Sequence, residues 1–175
     1  FHEFGEIELS ATEWSEILAR ISSQNVEIIV EPYDIESLNI AEKEGVVKGY
    51  KIPAAGIAQT DLLENIKKTE KPVFIAVGGA EWHEIEHAVS VFKGSEITLL
   101  CGFQNFPTLP KDSKLYRIRA LKEAFGCAVG YADHVDSEDQ KMAMILPALA
   151  VTLGATVIEK HFTDDNSREG PDHKF

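Results

Sequence analysis

Short apolar, β-branched runs recur along the chain, beginning near Val26 (VEIIV), Gly49 (GYKI), Val73 (VFIAV), Ile97 (ITLLC), Ala128 (AVGY) and Thr156 (TVIEKHF), at steps of 23, 24, 24, 31 and 28 residues. Each step is long enough for one strand, one helix and two short loops. Between the runs, apolar residues fall at helical spacing and predict helices over residues 11–22, 35–44, 61–68, 81–92, 114–125 and 137–153. Their ends carry stop and start signals. Ser10 with Glu13 reads as a capping box, Asp34 as an N-cap, and Gly45, Gly126 and Gly154 stand where left-handed C-caps belong. Pro147 should kink the last helix without ending it.

Strands that are apolar nearly throughout, separated by helices, mean a parallel sheet covered by helices. Six β/α units suit either an open doubly wound sheet or three quarters of an eight-stranded (β/α)8 TIM barrel. Polar chemistry inside the strands favours the barrel. On strand alternation Glu159 and His161 share one face, as do Ala132 and His134, and Lys51 lies within a third strand. A charge on a buried strand needs a partner or a water-filled cavity, and a barrel interior beneath an active site supplies both. The chain has no Gly-x-Gly-x-x-Gly after its first strand and no Walker-type loop, and Gly78-Gly79 reads as a tight turn.

Composition narrows the partners. The 175 residues, 44% hydrophobic and 26% charged, suit one domain spanning residues 1–175. A formal charge of −12 would repel nucleic acid and anionic membrane surfaces, so an anionic substrate must be held by local cations. With no run of about 18 apolar residues and no secretory pattern at the start, neither a membrane span nor export is expected. Cys101 and Cys127 are too few for a disulfide framework, which fits a cytoplasmic location. The first residue is Phe, and the expectation is a processed chain or part of a longer one.

His134 and His161 close the last two strand-like runs, where a parallel β/α protein builds its active site. If those strands are neighbours, two imidazoles converge at one point and could hold a divalent cation or an oxyanion. Two partly buried structural histidines are the plainer alternative. A second pattern, His83-Glu84-Ile85-Glu86-His87, satisfies His-Glu-x-x-His. Its setting after a strand, with Ile85, Ala88, Val89 and Phe92 as the buried stripe, predicts a solvated helix face instead.

The succession EPYDIESLNIAEKEGVVKGYKI, a strand ending in Gly-Gly, LLCGFQNFPTLPKD, LKEAFGCAVGYADH and GATVIEKHFTDDNSREGPDHK resembles the sialic acid synthase family. That family comprises N-acetylneuraminate synthases and related spore-coat polysaccharide proteins. The resemblance runs nearly the whole length, and Glu-Lys-His-Phe with the Asp of Gly-Pro-Asp eleven residues after its His is its most specific part. It implies a (β/α)8 barrel of which this chain supplies strands three to eight. It also implies a transferase that condenses phosphoenolpyruvate with an N-acetylated amino sugar aldehyde in surface polysaccharide synthesis, assisted by Mn²⁺ or Mg²⁺ and assembled as a homodimer. Residue by residue, it places the metal on His134 and His161, a phosphate-facing ammonium on Lys51, and sugar-hydroxyl binding on Asp172. Glu159 would hold Lys51, orient a ligand, or serve as an interior structural carboxylate. Gln104, Asn105, Asp133 and Arg168 are candidate polar contacts at the mouth, with Phe106 as an apolar wall.

Several positions depart from the family pattern. Lys-Ile-Gly-Ser-Gly-Glu reads Lys51-Ile52-Pro53-Ala54-Ala55-Gly56, Ser-Thr-Gly reads Ala76-Val77-Gly78, Ser-Asp-His reads Ala132-Asp133-His134, and Thr-Pro-Phe-Asp reads Glu31-Pro32-Tyr33-Asp34. Each lost hydroxyl removes a charge-assisted donor to an anion, worth roughly 1.5–3 kcal/mol. Glu31 would repel a phosphate unless paired with a cation such as Lys51. The alternative to the enzyme is therefore a non-catalytic or substrate-altered barrel with a decayed anion pocket.

Overall fold

The computed structural model describes residues 8–168 and 173. Six strands, β1 (Ile28–Val30), β2 (Val47–Ile52), β3 (Val73–Ala76), β4 (Ile97–Cys101), β5 (Ala128–Asp133) and β6 (Val157–Lys160), alternate with α1 (Ala11–Ser22), α2 (Ile35–Lys43), α3 (Thr60–Lys67), α4 (Trp82–Val91), α5 (Arg117–Phe125) and α6 (Gln140–Thr152). They form one sheet in chain order, and all five adjacent pairs are parallel. A doubly wound sheet reverses its strand order at a switch point. Here every strand lies beside its predecessor, which is the winding of a barrel wall, and the sheet is a half-barrel.

Alternation divides the strands between two faces. Tyr50, Ile52, Ile75, Leu99, Val129 and Tyr131 point outward and join Leu38, Leu63, Ile66, Ile85, Phe92, Ile118 and Leu121 of the helices in one buried core. Burying each such side chain stabilises the fold by about 1.5–3 kcal/mol. On that outer face the Tyr50 hydroxyl donates to Glu42 of α2, whose carboxylate also pairs with Lys71 just before β3. Burial and the Glu42 charge push the Tyr50 pKa far above the usual phenol range, so this hydroxyl remains a donor. The alternate residues, among them Lys51, Ala76, Leu100, Ala132 and Glu159, turn to the concave side.

The capping signals operate as read. Ser10 Oγ accepts from the Glu13 N–H at 3.3 Å while Glu13 Oε2 accepts from the Ser10 N–H at 2.8 Å, and Asp34 Oδ1 accepts from the Ser37 N–H at 2.7 Å. Gly45 and Gly126 adopt φ of 67° and 65°, the left-handed conformation that ends a helix without a Cβ clash. Pro147 sits inside α6, which continues past it. Two helices begin later than the pattern predicts. Lys114 at φ 45° interrupts the approach to α5, and Asp139 caps α6 by accepting from the Met142 N–H. No described helix is long and apolar enough to cross a membrane.

The inner face depends on close approach of the last strands. A Cβ on Gly102, just past β4, would lie 2.7 Å from the Ala132 carbonyl oxygen and 3.0 Å from the Ala132 Cβ. Behind β5, Asp133 is buried and accepts from the Tyr131 hydroxyl, the Val135 N–H and the Lys160 ammonium. Gly102→Ala should therefore wedge β4 from β5 and cost about 1–3 kcal/mol in a denaturant titration. Lys160→Ala strands the Asp133 carboxylate. Because the Lys160 side chain is 40% exposed, the expected loss in the same titration is about 2 kcal/mol, below the ~3–5 kcal/mol of a fully buried pair.

Candidate active site

The carboxyl ends of all six strands open onto one cavity of about 630 Å³. β1 delivers Glu31 and Tyr33, β2 delivers Lys51, and the turn after β2 delivers Ala54 and Ala55. β3 ends in Ala76, the loop after β4 carries Gln104 and Phe106, β5 leads through Ala132 to His134, and β6 leads through Glu159 to His161. Parallel strands in register place residues at the same height, and alternation aims them at the same side. That is why side chains from 31 to 161 meet at one mouth.

Two clusters share the cavity. In the first, the Lys51 ammonium lies 2.8 Å from Glu31 Oε2 and 3.0 Å from Glu159 Oε1, and the three side chains are 24–25% exposed. Burial by itself would pull the Lys51 pKa down. Its hydrogen bonds to Glu31 and Glu159 and the charges of both outweigh that, and the net shift is upward, so the ammonium stays charged. Tyr33 Oη donates to Glu31 Oε1 at 2.8 Å, so each oxygen of that carboxylate has a partner. Beneath this layer Ile29, Phe74, Leu100 and Val157 line an apolar space inside the half-barrel.

In the second cluster the rings of His134 and His161 stand 5.5 Å apart between centroids at 75°, with Phe106 edge-on to His134 at 4.6 Å. His134 is buried, and its Nδ1 lies 3.1 Å from the Phe103 carbonyl oxygen. Donation from Nδ1 leaves Nε2 as the nitrogen with the lone pair, the arrangement that orients a metal ligand. Burial is the largest influence holding the His134 pKa below its usual value; His161 and Lys51 act the same way, against the Phe103 contact and the Glu159 charge.

A ring nitrogen about 2.1 Å from a shared ion puts two ligating centroids at most roughly 6.5 Å apart, and the observed 5.5 Å lies within that reach. Among the described residues no group of three His, Cys, Asp or Glu side chains converges on such an ion. A cation held here would take its remaining ligands from water or substrate oxygens.

The other candidates are placed differently. Gln104 and Phe106 line the cavity, but Asn105 is exposed in the same loop and contributes its carbonyl to the Thr108 hydroxyl. Asp133, expected at the substrate, faces the helices, because alternation puts it opposite Ala132 and His134. Arg168 is exposed and pairs with Asp164 at 2.9 Å. Asp172 lies outside the described residues. The His-Glu-x-x-His helix is a solvated face as expected: His83 is 74% exposed beside Glu81, Glu84 caps its own helix, and His87 contacts Thr60. Two contributors escaped the sequence reading. Phe103 acts through its carbonyl, which no side-chain pattern marks, and Tyr33 could have been found from its period-two relation to Glu31.

The NeuB family model matches residues 1–175. An uncharacterized protein of Methanocaldococcus jannaschii is 36% identical over 173 residues, covering 97% of this chain and 49% of that protein. The N,N'-diacetyllegionaminic acid synthase of Campylobacter jejuni is 34% identical over 174 residues, covering 97% of this chain and 50% of its own length. Among solved structures, an N-acetylneuraminic acid synthetase from Leptospira borgpetersenii superposes with a TM-score of 0.85 at 32% identity over 95% of this chain and 57% of that one. The chain thus spans about half the length of the relatives it matches. Match length, identity and superposition agree, and the chain belongs to the NeuB family.

Proposed function

We propose that this chain forms strands three to eight of a (β/α)8 barrel that condenses phosphoenolpyruvate with an N-acetylated amino sugar in its open aldehyde form. The observation that carries the reading is the meeting of His134, His161 and the charged Lys51 in one cavity at the strand ends. In the reaction a carbon–carbon bond forms between C3 of the enol and the aldehyde carbon. Water adds at C2, and inorganic phosphate leaves.

A divalent cation, when bound, supplies Lewis acidity toward the aldehyde oxygen. His134 and His161 would hold it, with the Phe103 carbonyl fixing the ring orientation of His134. Lys51 presents a compact positive charge to the phosphate, and Glu159 keeps that ammonium at the pocket wall. Gln104 offers an amide to substrate oxygens, and Phe106 closes the His134 side as an apolar wall. Asp172 would bind sugar hydroxyls.

One observation favours a second reading, in which the barrel binds a different ligand or none. Ala54, Ala55, Ala76 and Ala132 line the cavity with methyl groups, where an anion site wants donors.

Two measurements decide. Calorimetry of the full chain should show uptake of Mn²⁺ that His134→Ala, His161→Ala abolishes, and inorganic phosphate should appear from phosphoenolpyruvate only when an amino sugar is added. Metal uptake without phosphoenolpyruvate binding would support the second reading. Ligation also requires neutral imidazole. Because the folded pKa of His134 lies below its ordinary 6.5, the unfolded chain takes up the proton first, so this group's contribution to stability is full above pH 6.5 and disappears as pH falls through the folded value. An NMR titration should place the His134 midpoint below 6.5; a midpoint at or above it would contradict the burial argument.

A further inference from the structure

Glu31 is the residue that the condensation chemistry does not call for. It follows β1 and lies against the one ammonium that the proposed reading reserves for phosphate. Its placement is firm. Oε2 takes the Lys51 ammonium at 2.8 Å, Oε1 takes the Tyr33 hydroxyl at 2.8 Å, and the side chain is three-quarters buried at the cavity wall. Glu159 holds the same ammonium from β6. The corner therefore carries two carboxylates and one cation, a net charge of −1 at the place where a phosphate would arrive.

We propose that Glu31 is a built-in competitor for the anion: its carboxylate occupies Lys51 in the resting site, and an incoming phosphate must displace it. The inference rests on the reading that Lys51 meets the phosphate of phosphoenolpyruvate. It makes Glu31 a specificity-determining residue, because the work of displacing it falls only on ligands that need Lys51. Neutral hydroxyl-bearing ligands can accept the corner as it is, donating to the carboxylate oxygens. An anion must overcome like-charge repulsion at close range or take over the ammonium. Tyr33 sets how firmly the competitor is held, since its hydroxyl fixes the carboxylate in the orientation that reaches Lys51.

The test is a calorimetric titration of the full chain with phosphoenolpyruvate at saturating Mn²⁺, comparing the parent with Glu31→Gln, Tyr33→Phe and Lys51→Gln. Glu31→Gln keeps the shape and removes the charge, and should tighten binding about tenfold, equivalent to about 1.4 kcal/mol. Tyr33→Phe loosens the competitor without altering any charge and should tighten binding about twofold. Lys51→Gln should weaken it at least tenfold. Unchanged or weaker binding by both Glu31→Gln and Tyr33→Phe, with Lys51→Gln still defective, would overturn the competitor role and leave the Lys51 reading standing. Unchanged binding by Lys51→Gln would overturn that reading and the competitor with it. If Glu31→Gln fails to fold by circular dichroism, the Tyr33→Phe titration decides alone: tightening supports the role, and no change refutes it.

Discussion

The ammonium of Lys51 is the point on which the concave face turns. It lies between Glu31 after β1 and Glu159 in β6, so one cation ties the two ends of the strand order across the interior. Two carboxylates brought together without it would repel each other, and three partly buried charges are costly unless each is paired and hydrogen-bonded. The arrangement meets that condition on every member: Glu31 has Tyr33 as well, and Lys51 has both acids. An apolar floor of Phe74, Leu100 and Val157 below, and an open mouth above, follow from placing the charged layer at this height. The mouth stays hydrated enough to tolerate charge.

Local chemistry made the elements legible, and long-range pairing decided what it could not. The capping box at Ser10 and Glu13 and the left-handed glycines at 45 and 126 mark helix ends through contacts within a few residues, and those ends stand where expected. The starts of α5 and α6 were misplaced by about three residues because Lys114 adopts a positive φ and because Asp136 and Ser137 belong to a turn before the Asp139 cap. Periodicity alone left barrel and doubly wound sheet equally open. Strand order is a property of neighbours 20 to 30 residues apart, and only the parallel pairing of β1 through β6 in sequence resolves it.

Strand position made four residues of the candidate cavity legible. Lys51, Glu159, His134 and His161 lie at strand ends, and alternation points all four inward. Asp133 shows the same rule applied incompletely. Its neighbours Ala132 and His134 face the cavity, so it must face the helices, where it meets Tyr131 and Lys160. Asn105 and Arg168 lie in loops, which have no period from which to read a direction. Phe103 contributes a backbone oxygen, and any residue type could have supplied it.

β6 joins these threads, and it is a strand of only four residues. Its inner face supplies Glu159 to the ion layer and, one residue past its end, His161 to the imidazole pair. Its outer face supplies Lys160 to Asp133. A slip of one residue would exchange the faces, sending Lys160 into the cavity and Glu159 into the helix layer. The Lys160–Asp133 pair, tied further by the Lys160 hydrogen bond to the Ala143 carbonyl at 3.2 Å, opposes that slip with a buried charge that no other described residue pairs. A contact on the helix side of the wall therefore fixes which groups appear on the cavity side. The separation of the two imidazoles and the pairing of the Lys51 ammonium with Glu159 are both set by the register of one short strand.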